Sequence, residues 1–297
     1  MRVADLFCGV GGIRLGAKGE TVFANDIDSK CKITYDLNFS QPPLTCADIQ
    51  TYDYASIPEF DWLTGGFPCQ PFSQAGHRKG FEDTRGTLFF NILQIIQHHN
   101  PKGVLLENVK GLLNHDNGNT LRVIVDCLTE LDYKVSYKVL NSLDYGLPQN
   151  RERLFIVAQR GDYYYFPQTL HKGLIIADIL QSDVPDKYYY TQASAIYPFL
   201  KDVVKEEGCV YQWRRKYVRK NKKNVCPTLT ANMGTGGHNV PIIYDGKGIR
   251  KMTPRELFRV QGFPDTYKLP DIADCHLYKQ IGNSVSVPVI KEIFNGI

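Results

Sequence analysis

The amino-acid sequence predicts an α/β fold in which a large sheet domain carries a small, mostly β or irregular second domain. Strand-like and helix-like patterns alternate over residues 1–160, which is typical of a parallel sheet covered by helices. The alternation stops after Gly161, and a regular pattern returns at Thr253. We therefore expect one domain formed by residues 1–165 and 253–297, and a separate domain formed by residues 166–252.

Seven stretches of the first region have the composition and length of strands, and four have helical spacing. The predicted strands are Arg2–Phe7, Thr21–Asn25, Leu44–Ala47, Trp62–Thr64, Gly103–Glu107, Lys134–Leu140 and Arg153–Gln159. The predicted helices are Gly12–Lys18, Ser29–Phe39, Thr87–Asn100 and Asn119–Leu131. Thr253, Pro254 and Glu256 form a helix-start signature, and Val285–Phe294 predicts a closing helix.

The composition is that of an ordinary globular protein, with 43% hydrophobic and 22% charged residues in 297 positions. No apolar run approaches the roughly 18 residues that span a bilayer, and the first residues lead directly into a strand, so we expect neither a membrane span nor a signal peptide. The eight cysteines include no C-x-x-C pair. This predicts a cytoplasmic protein without a metal site or a disulfide framework.

Positive charge is concentrated in the second domain. Residues 161–252 carry 14 Lys and Arg against 8 Asp and Glu. The densest run includes Arg214, Arg215, Lys222 and Lys223, and a glycine-rich segment follows it. Such a run is either a solvated face or a surface for a polyanion; the neighbouring Trp213 and Tyr217 favour nucleic-acid contact.

The first three predicted strands end in residues that suit a nucleoside-bearing ligand. The first strand leads into a glycine-rich turn that contains Gly9 and Gly11, but Arg14 stands where a dinucleotide fingerprint has its last glycine. Asp26 follows the second strand, and Asp48 with Ile49 follows the third. Each acid alone is typical of a turn or a helix cap, whereas two in succession after a glycine turn favour an adenosine-bearing cofactor.

Cys69 is the strongest candidate for a nucleophile. It lies in Gly65-Gly66-Phe67-Pro68-Cys69-Gln70-Pro71-Phe72-Ser73, directly after a hydrophobic strand and before a polar loop. A cysteine at the exposed end of a sheet, below a loop that can close, is a typical nucleophile arrangement. The alternative is an inert cysteine in the core.

Further motifs follow in a fixed order along the chain. Glu107-Asn108-Val109 ends the fifth strand, Gln149-x-Arg151-x-Arg153 leads into the seventh, and Gly282-Asn283-Ser284 lies near the end. With the glycine turn and the Pro-Cys-Gln loop, this ordered set resembles the C5-cytosine DNA methyltransferases of bacterial type II restriction–modification systems. The resemblance covers essentially the whole chain and implies a Rossmann-like, S-adenosylmethionine-dependent domain with a target-recognition domain.

The resemblance implies a chemical role for four residues. Cys69 would add to C6 of a flipped-out cytosine as a thiolate, which makes C5 nucleophilic. Glu107 would act at N3 of the base, and Arg153 would bind O2 and hold Glu107. Arg151 would support this site rather than touch the base.

The resemblance also implies which residues bind the ligands. The cofactor, S-adenosylmethionine, would contact Phe7, Gly9, Gly11, Asp26, Ile27, Asp48, Ile49, Pro68, Leu88 and Asn283, without a metal. DNA would contact Phe67, Gln70, Ser73, Arg214, Arg215, Lys222, Lys223, Thr230, Asn232 and Thr235. Many relatives have glutamate and tryptophan where this chain has Asp26 and Ile27, and one close relative has serine in place of Ala75 in the lid.

The implied function is methylation of cytosine C5 in double-stranded DNA, which would protect host DNA from a cognate restriction endonuclease. The enzyme would act as a monomer in the bacterial cytoplasm, with that endonuclease as a genetic partner. Alternatives are a tRNA cytosine-5 methyltransferase and a DNA methyltransferase without a partner endonuclease. A dehydrogenase is disfavoured by the incomplete glycine fingerprint, and a module that only binds would not need Cys69, Glu107 and Arg153 together.

Overall fold

A computed structural model of the protein describes residues 1–68, 88–168, 173–235 and 239–297. Over these residues the strands are β1 (Arg2–Leu6), β2 (Glu20–Asp26), β3 (Thr45–Cys46), β4 (Trp62–Gly66), β5 (Gly103–Val109), β6 (Lys134–Asn141), β7 (Glu152–Gln159), β8 (Tyr211–Trp213), β9 (Val218–Lys220), β10 (Ile242–Tyr244) and β11 (Ile249–Lys251). The α-helices are α1 (Gly12–Gly16), α2 (Ser29–Asn38), α3 (Leu88–His99), α4 (Asn119–Glu130), α5 (Ile176–Ile179), α6 (Tyr197–Leu200), α7 (Pro254–Val260), α8 (Asp274–Asn283) and α9 (Val287–Asn295). Short 3₁₀ helices lie at Tyr54–Ser56, Lys110–Gly118, Ser142–Asp144, Asp186–Tyr188, Lys222–Asn224 and Ala231–Gly234.

The described chain divides into two compact units. The first contains residues 1–140, 152–168 and 290–297, and the second contains residues 141–151 and 169–289. The predicted α/β fold is confirmed, and the strands and helices predicted for residues 1–160 are present with ends that differ by at most two residues.

A seven-stranded sheet forms the centre of the first unit, in the order β3-β2-β1-β4-β5-β7-β6. Strands β1 and β4 lie side by side and are buried along nearly their whole length, as expected for a sheet covered on both faces. Helix α3 contributes Phe89, Ile92 and Ile96 to the core below these strands. The sheet therefore presents the carboxyl ends of its parallel strands at one edge.

One strand departs from the parallel arrangement that the alternating pattern predicts. Strand β7 runs antiparallel to β5, with Glu107 opposite Phe155 and Val109 opposite Arg153. The physical reason is the connection from β6 to β7, which contains a short 3₁₀ helix but no crossover helix. Parallel neighbours require a long crossover, so a short connection returns the chain in the opposite direction.

The second unit contains a four-stranded sheet in the order β11-β10-β8-β9, and each of its strands has three residues. Tyr211 and Trp213 on one face of β8 pack in a hydrophobic cluster with Leu200 and Ile242. None of the described helices is both long and apolar enough to cross a membrane.

Helix α7 begins as the sequence predicts. The Thr253 hydroxyl accepts a hydrogen bond from the Glu256 amide, while the Glu256 carboxylate accepts one from the Thr253 amide. Glu256 is fully buried and also accepts two hydrogen bonds of 2.8 Å from the buried Arg250 guanidinium. The start of α7 is therefore fixed to β11 by a capping box that shares its carboxylate with an ion pair.

We expect Thr253→Ala to lower the free energy of unfolding by about 1 kcal/mol, because it leaves the Glu256 amide without its cap. Urea unfolding monitored by circular dichroism measures the difference. Thr253→Ser keeps the hydroxyl and should remain close to wild type. Equal loss in the alanine and serine variants would contradict a role for the hydroxyl.

Candidate active site

A cavity of about 340 Å³ opens at the edge of the first unit's sheet where its parallel strands end. Its lining residues lie at or just after the ends of β1, β2, β3 and β4 or begin α3: Phe7, Asn25, Ile27, Ala47, Asp48, Ile49, Gln50, Pro68 and Leu88. The cavity brings together six of the predicted cofactor residues. Its volume lies in the range of cavities that hold small molecules, and its lining combines apolar side chains with one carboxylate.

The backbone of the turn after β1 is strained beside this cavity. Phe7 has a φ of 53°, which a bulky side chain rarely adopts. Strain of this kind persists where the surrounding structure enforces it, and it is concentrated at functional sites. It turns the chain sharply between β1 and α1, so that Phe7 lines the cavity.

The two glycines of this turn have different surroundings. A Cβ atom at Gly11, which has a φ of 76°, would lie 2.4 Å from the Phe39 ring, whereas the space beside Gly9 is open. Arg14, the departure from the dinucleotide fingerprint, lies 4.5 Å from the Phe39 ring centroid and donates a 2.8 Å hydrogen bond to the Tyr35 hydroxyl. Gly11 and Arg14 thus fix α1 against α2, and neither lines the cavity.

The Asp26 side chain binds main-chain amides of two segments, the glycine turn after β1 and its own turn after β2. One carboxylate oxygen accepts a 2.9 Å hydrogen bond from the Gly9 amide, and the other accepts a 2.8 Å bond from the Asp28 amide. Burial raises the pKa of Asp26, and these amides oppose the rise. Asp26 therefore joins the glycine turn to the end of β2, while the neighbouring Ile27, 68% exposed, lies at the cavity.

Sequence reasoning missed Asn25. This buried side chain donates hydrogen bonds to the carbonyls of Thr45 and Ala47, at 3.0 and 2.9 Å, and so holds the segment that carries Asp48. The available signal was an amide side chain at the end of a hydrophobic strand, directly before Asp26. Asp48 itself accepts a 3.0 Å hydrogen bond from the Gln50 amide.

Glu107 and Arg153 form an ion pair at the same edge of the sheet. The Arg153 Nε lies 3.0 Å from the Glu107 Oε1, and both side chains are largely buried. Arg153 also donates a 2.9 Å hydrogen bond to the Glu152 carbonyl. The guanidinium fixes the orientation of a carboxylate that is only 9% exposed.

Asn108 links this ion pair to the strand that leads to Cys69. Its amide donates a 2.9 Å hydrogen bond to the carbonyl of Phe67, and its oxygen accepts one from the Val109 amide. The Phe67 ring is buried beside Phe89 at the start of α3. Cys69, Gln70 and Ser73 lie outside the described residues.

Arg151 lies in the second unit and binds three main-chain carbonyls. Its buried guanidinium donates hydrogen bonds to Leu229 at 2.7 Å, to Ser284 at 2.5 Å and to Gly282 at 3.4 Å. Gln149 accepts a 3.1 Å hydrogen bond from the Leu229 amide. Arg151 and Gln149 therefore bind the main-chain carbonyl and the main-chain amide of Leu229, which lies in the predicted recognition domain.

The Gly-Asn-Ser motif lies against the same segment. A Cβ at Gly282 would lie 2.3 Å from the Thr230 carbonyl carbon, so only glycine permits this approach of α8. Asn283 is exposed at the end of α8, in the second unit. Thr230, Asn232 and Thr235 are exposed together, with the Thr230 hydroxyl 2.5 Å from the Asn232 amide oxygen.

The predicted phosphate-binding residues surround the short strands of the second unit. Arg214, Arg215 and Lys222 are exposed, and Arg215 has a φ of 65° in the turn between β8 and β9. The side chain of Lys223 lies outside the described part of the chain. Among described residues no group of His, Cys, Asp and Glu is placed to hold a metal ion.

Comparison with known proteins gives one family and a consistent set of relatives. The model of the C-5 cytosine-specific DNA methylase family matches residues 1–297. Type II methyltransferase M.Bsp6I from Bacillus sp. (strain RFL6) is 49% identical over 100% of this chain and 98% of its own length. Type II methyltransferase M.HaeII from Haemophilus aegyptius is 41% identical over 98% of this chain and 91% of its own length.

A solved structure gives the same architecture. A mutant of DNMT2 from Spodoptera frugiperda superposes with a TM-score of 0.77 and 22% identity, over 99% of this chain and 98% of that one. At that identity, the likeness shows a common fold.

Asp5, in β1, makes the stability of the first unit depend on pH. The carboxylate is fully buried; one oxygen accepts a 2.7 Å hydrogen bond from Thr64, and the other has no partner among the described residues. Burial raises the pKa of Asp5 to about 7. The folded protein therefore holds a proton that the unfolded chain releases above about pH 4, so stability falls as the pH rises from about 4 to about 7.

We expect Asp5→Asn to flatten this dependence, because an amide does not titrate. Urea unfolding at several pH values between 4 and 8 measures the slope. Asp202→Asn, at an exposed position of the second unit, is the matched control and should keep the wild-type slope. An unchanged slope in Asp5→Asn would show that another group causes the dependence.

Proposed function

This chain belongs to the C-5 cytosine-specific DNA methylase family, and on that premise we propose how its residues carry out the reaction. The protein is a DNA (cytosine-5-)-methyltransferase of the type II kind. The observation that carries the assignment of roles is the ion pair between Arg153 and Glu107, beside the strand end that leads to Cys69. We propose the catalytic set Cys69, Glu107 and Arg153.

We propose that the cavity at the strand ends binds S-adenosylmethionine. In this proposal Ile27, Ile49 and Leu88 form the apolar surfaces for an adenine ring and the Asp48 carboxylate accepts a hydrogen bond from it; all four residues line the cavity. Asp26 would act on cofactor binding in two ways: its oxygens can contact the cofactor, and its hydrogen bond to the Gly9 amide holds the glycine turn in place. When bound, the cofactor supplies an activated methyl group on its sulfonium.

The protein's own side chains would prepare the cytosine. The thiolate of Cys69 adds to C6, which shifts electron density to C5 and allows it to take the methyl group. Glu107 donates a proton to N3 or holds one there, which neutralises the negative charge that thiolate addition develops on the ring, and Arg153 keeps Glu107 oriented while binding O2. After methyl transfer the C5 proton leaves and the Cys69 thiolate is eliminated, which restores the aromatic base. These atoms are inaccessible in a stacked duplex, so the base must be flipped out of the helix.

Residues 166–252 would recognise the target sequence. Their excess of positive charge supports contact with DNA phosphates. We propose that Arg214, Arg215, Lys222 and Lys223 make such contacts. Thr230, Asn232 and Thr235 are exposed on one short segment whose backbone Gln149 and Arg151 hold in place. We propose that this segment contacts base edges.

The relatives' type II names support DNA as the substrate over tRNA. We further propose that the enzyme acts as a monomer in the bacterial cytoplasm, bound to the nucleoid through its substrate. Methylation would protect host DNA from a restriction endonuclease that is encoded with it. Bisulfite sequencing of DNA from cells that express the protein tests the activity and reveals the methylated sequence.

Cys69→Ala should abolish methyl transfer and leave duplex binding nearly unchanged, because the thiol takes part in bond formation rather than in phosphate contact. Duplexes with 5-fluorocytosine at the target should trap wild-type protein covalently, since fluorine does not leave as the C5 proton does. Cys46→Ala replaces an exposed free cysteine and serves as the control. Turnover or trapping by Cys69→Ala would overturn the assignment of the nucleophile.

Glu107→Gln should lower turnover by about 10²–10⁴-fold while cofactor affinity stays close to wild type. Asp48→Ala, Asp26→Ala and Asn283→Ala should show the reverse pattern, with cofactor affinity reduced first. Single-turnover rates and calorimetric titration with S-adenosylmethionine separate the two effects. If Glu107→Gln remained folded but lost the cofactor, Glu107 would belong to the cofactor site instead.

A further inference from the structure

A second cavity, of about 540 Å³, lies within the second unit beside the β8–β9 pair. Four basic residues line it, Arg214, Arg219, Lys220 and Lys222, and none of its lining residues is acidic. Strand β9 is an edge strand of its sheet, so no further strand pairs with its outer edge among the described residues. A basic concave surface of this kind fits nucleic acid.

The basic residues of this cavity are not equivalent. Lys220 forms a 2.6 Å ion pair with Glu206, so its charge is already balanced. Arg214 and Lys222 are exposed and have no ion pair among the described residues, as expected of contacts to a flexible phosphate backbone. Arg219 differs from all of them because a guanidinium nitrogen donates a hydrogen bond to the side-chain oxygen of Gln212.

Gln212 is itself fixed in place. It lies directly opposite Arg219 in the antiparallel β8–β9 pair. Its neighbours on β8, Tyr211 and Trp213, point to the opposite face and pack in the core. Gln212 is 6% exposed although it is polar, so its amide oxygen is a rigid acceptor at the floor of the cavity.

We propose that Arg219 reads a guanine in the target sequence, with Gln212 as its positioning residue. Gln212 occupies one edge of the guanidinium, and no carboxylate contacts Arg219 among the described residues. The remaining donors form the planar fork that pairs with O6 and N7 of guanine in the major groove, a groove that admits a two-stranded β-ribbon. Arg214 and Lys222 would contact phosphates on either side.

This inference rests on the proposed function and assigns Arg219 a role distinct from that of the other charges in its run. A phosphate contact contributes to affinity for every duplex, whereas a fork to guanine contributes at one base pair. A fixed guanidinium suits the second role, because a bidentate contact needs defined geometry.

The test uses the full-length protein and duplexes that carry the methylated sequence found by bisulfite sequencing. Each guanine of the site is replaced in turn by 7-deazaguanine, which keeps Watson–Crick pairing and lacks the N7 acceptor. For wild type, one replacement should lower kcat/KM by about 5- to 150-fold, the equivalent of 1–3 kcal/mol. Arg219→Ala should be slow on the unmodified site and show no further loss from that replacement.

Two variants separate base reading from simple charge. Arg219→Lys keeps the charge and loses the fork, so it should also lose sensitivity to 7-deazaguanine while the salt dependence of binding stays at the wild-type slope. Lys222→Ala should keep the sensitivity and reduce that slope by about 0.9. Gln212→Ala should weaken the sensitivity, and Gln212→Asn, which keeps a neutral amide acceptor, should retain more of it than Gln212→Ala.

Two outcomes overturn the inference while the methyltransferase assignment stands. In one, Arg219→Ala retains the full wild-type loss at every modified guanine. In the other, wild type tolerates 7-deazaguanine throughout the site. If wild-type protein transferred no methyl groups to any DNA, the proposed function would fail and the inference with it.

Discussion

The antiparallel pairing of β7 with β5 is the constraint on which the Glu107–Arg153 ion pair depends. Because β7 enters the sheet at the edge where β5 ends, Arg153 lies opposite Val109 and reaches Glu107 diagonally across the pair. A parallel β7 would begin at the far edge and carry its arginine away from the carboxylate. Removal of Arg153 would lower the stability of the folded protein, because it would leave the largely buried Glu107 carboxylate without this charged partner.

The strands that end at this edge of the sheet could be predicted because each is a recognisable hydrophobic run. Hydrophobic runs located β1, β2 and β4, and the resemblance to the methyltransferase family assigned Phe7, Ile27 and Pro68, which line the cavity, to the cofactor. The direction of β7 was missed, although the absence of a helix between β6 and β7 was visible in the sequence. A hydrophobic pattern alone carries no information about strand direction.

Other features depend on geometry that no local pattern contains. That Asp26 binds the Gly9 amide follows from the length of its side chain and the curvature of a turn seventeen residues away. Gln212 was not singled out from the sequence, because strands of three residues are too short to show alternation. The ordered motif set identified Cys69, but its place relative to Glu107 stays a prediction, since Cys69 lies outside the described residues.

The contacts that Gln149 and Arg151 make with Leu229 have an evolutionary consequence. Both side chains bind main-chain groups, which every amino acid provides, so this anchorage imposes little on the side chains of neighbouring residues. Exposed positions on either side of Leu229 are free to diverge without loss of the anchor. In the segment that we propose to contact bases, the exposed positions Thr230, Asn232 and Thr235 are therefore the natural places to build libraries with altered sequence preference. The buried Met233 and the closely packed Gly234 would be kept.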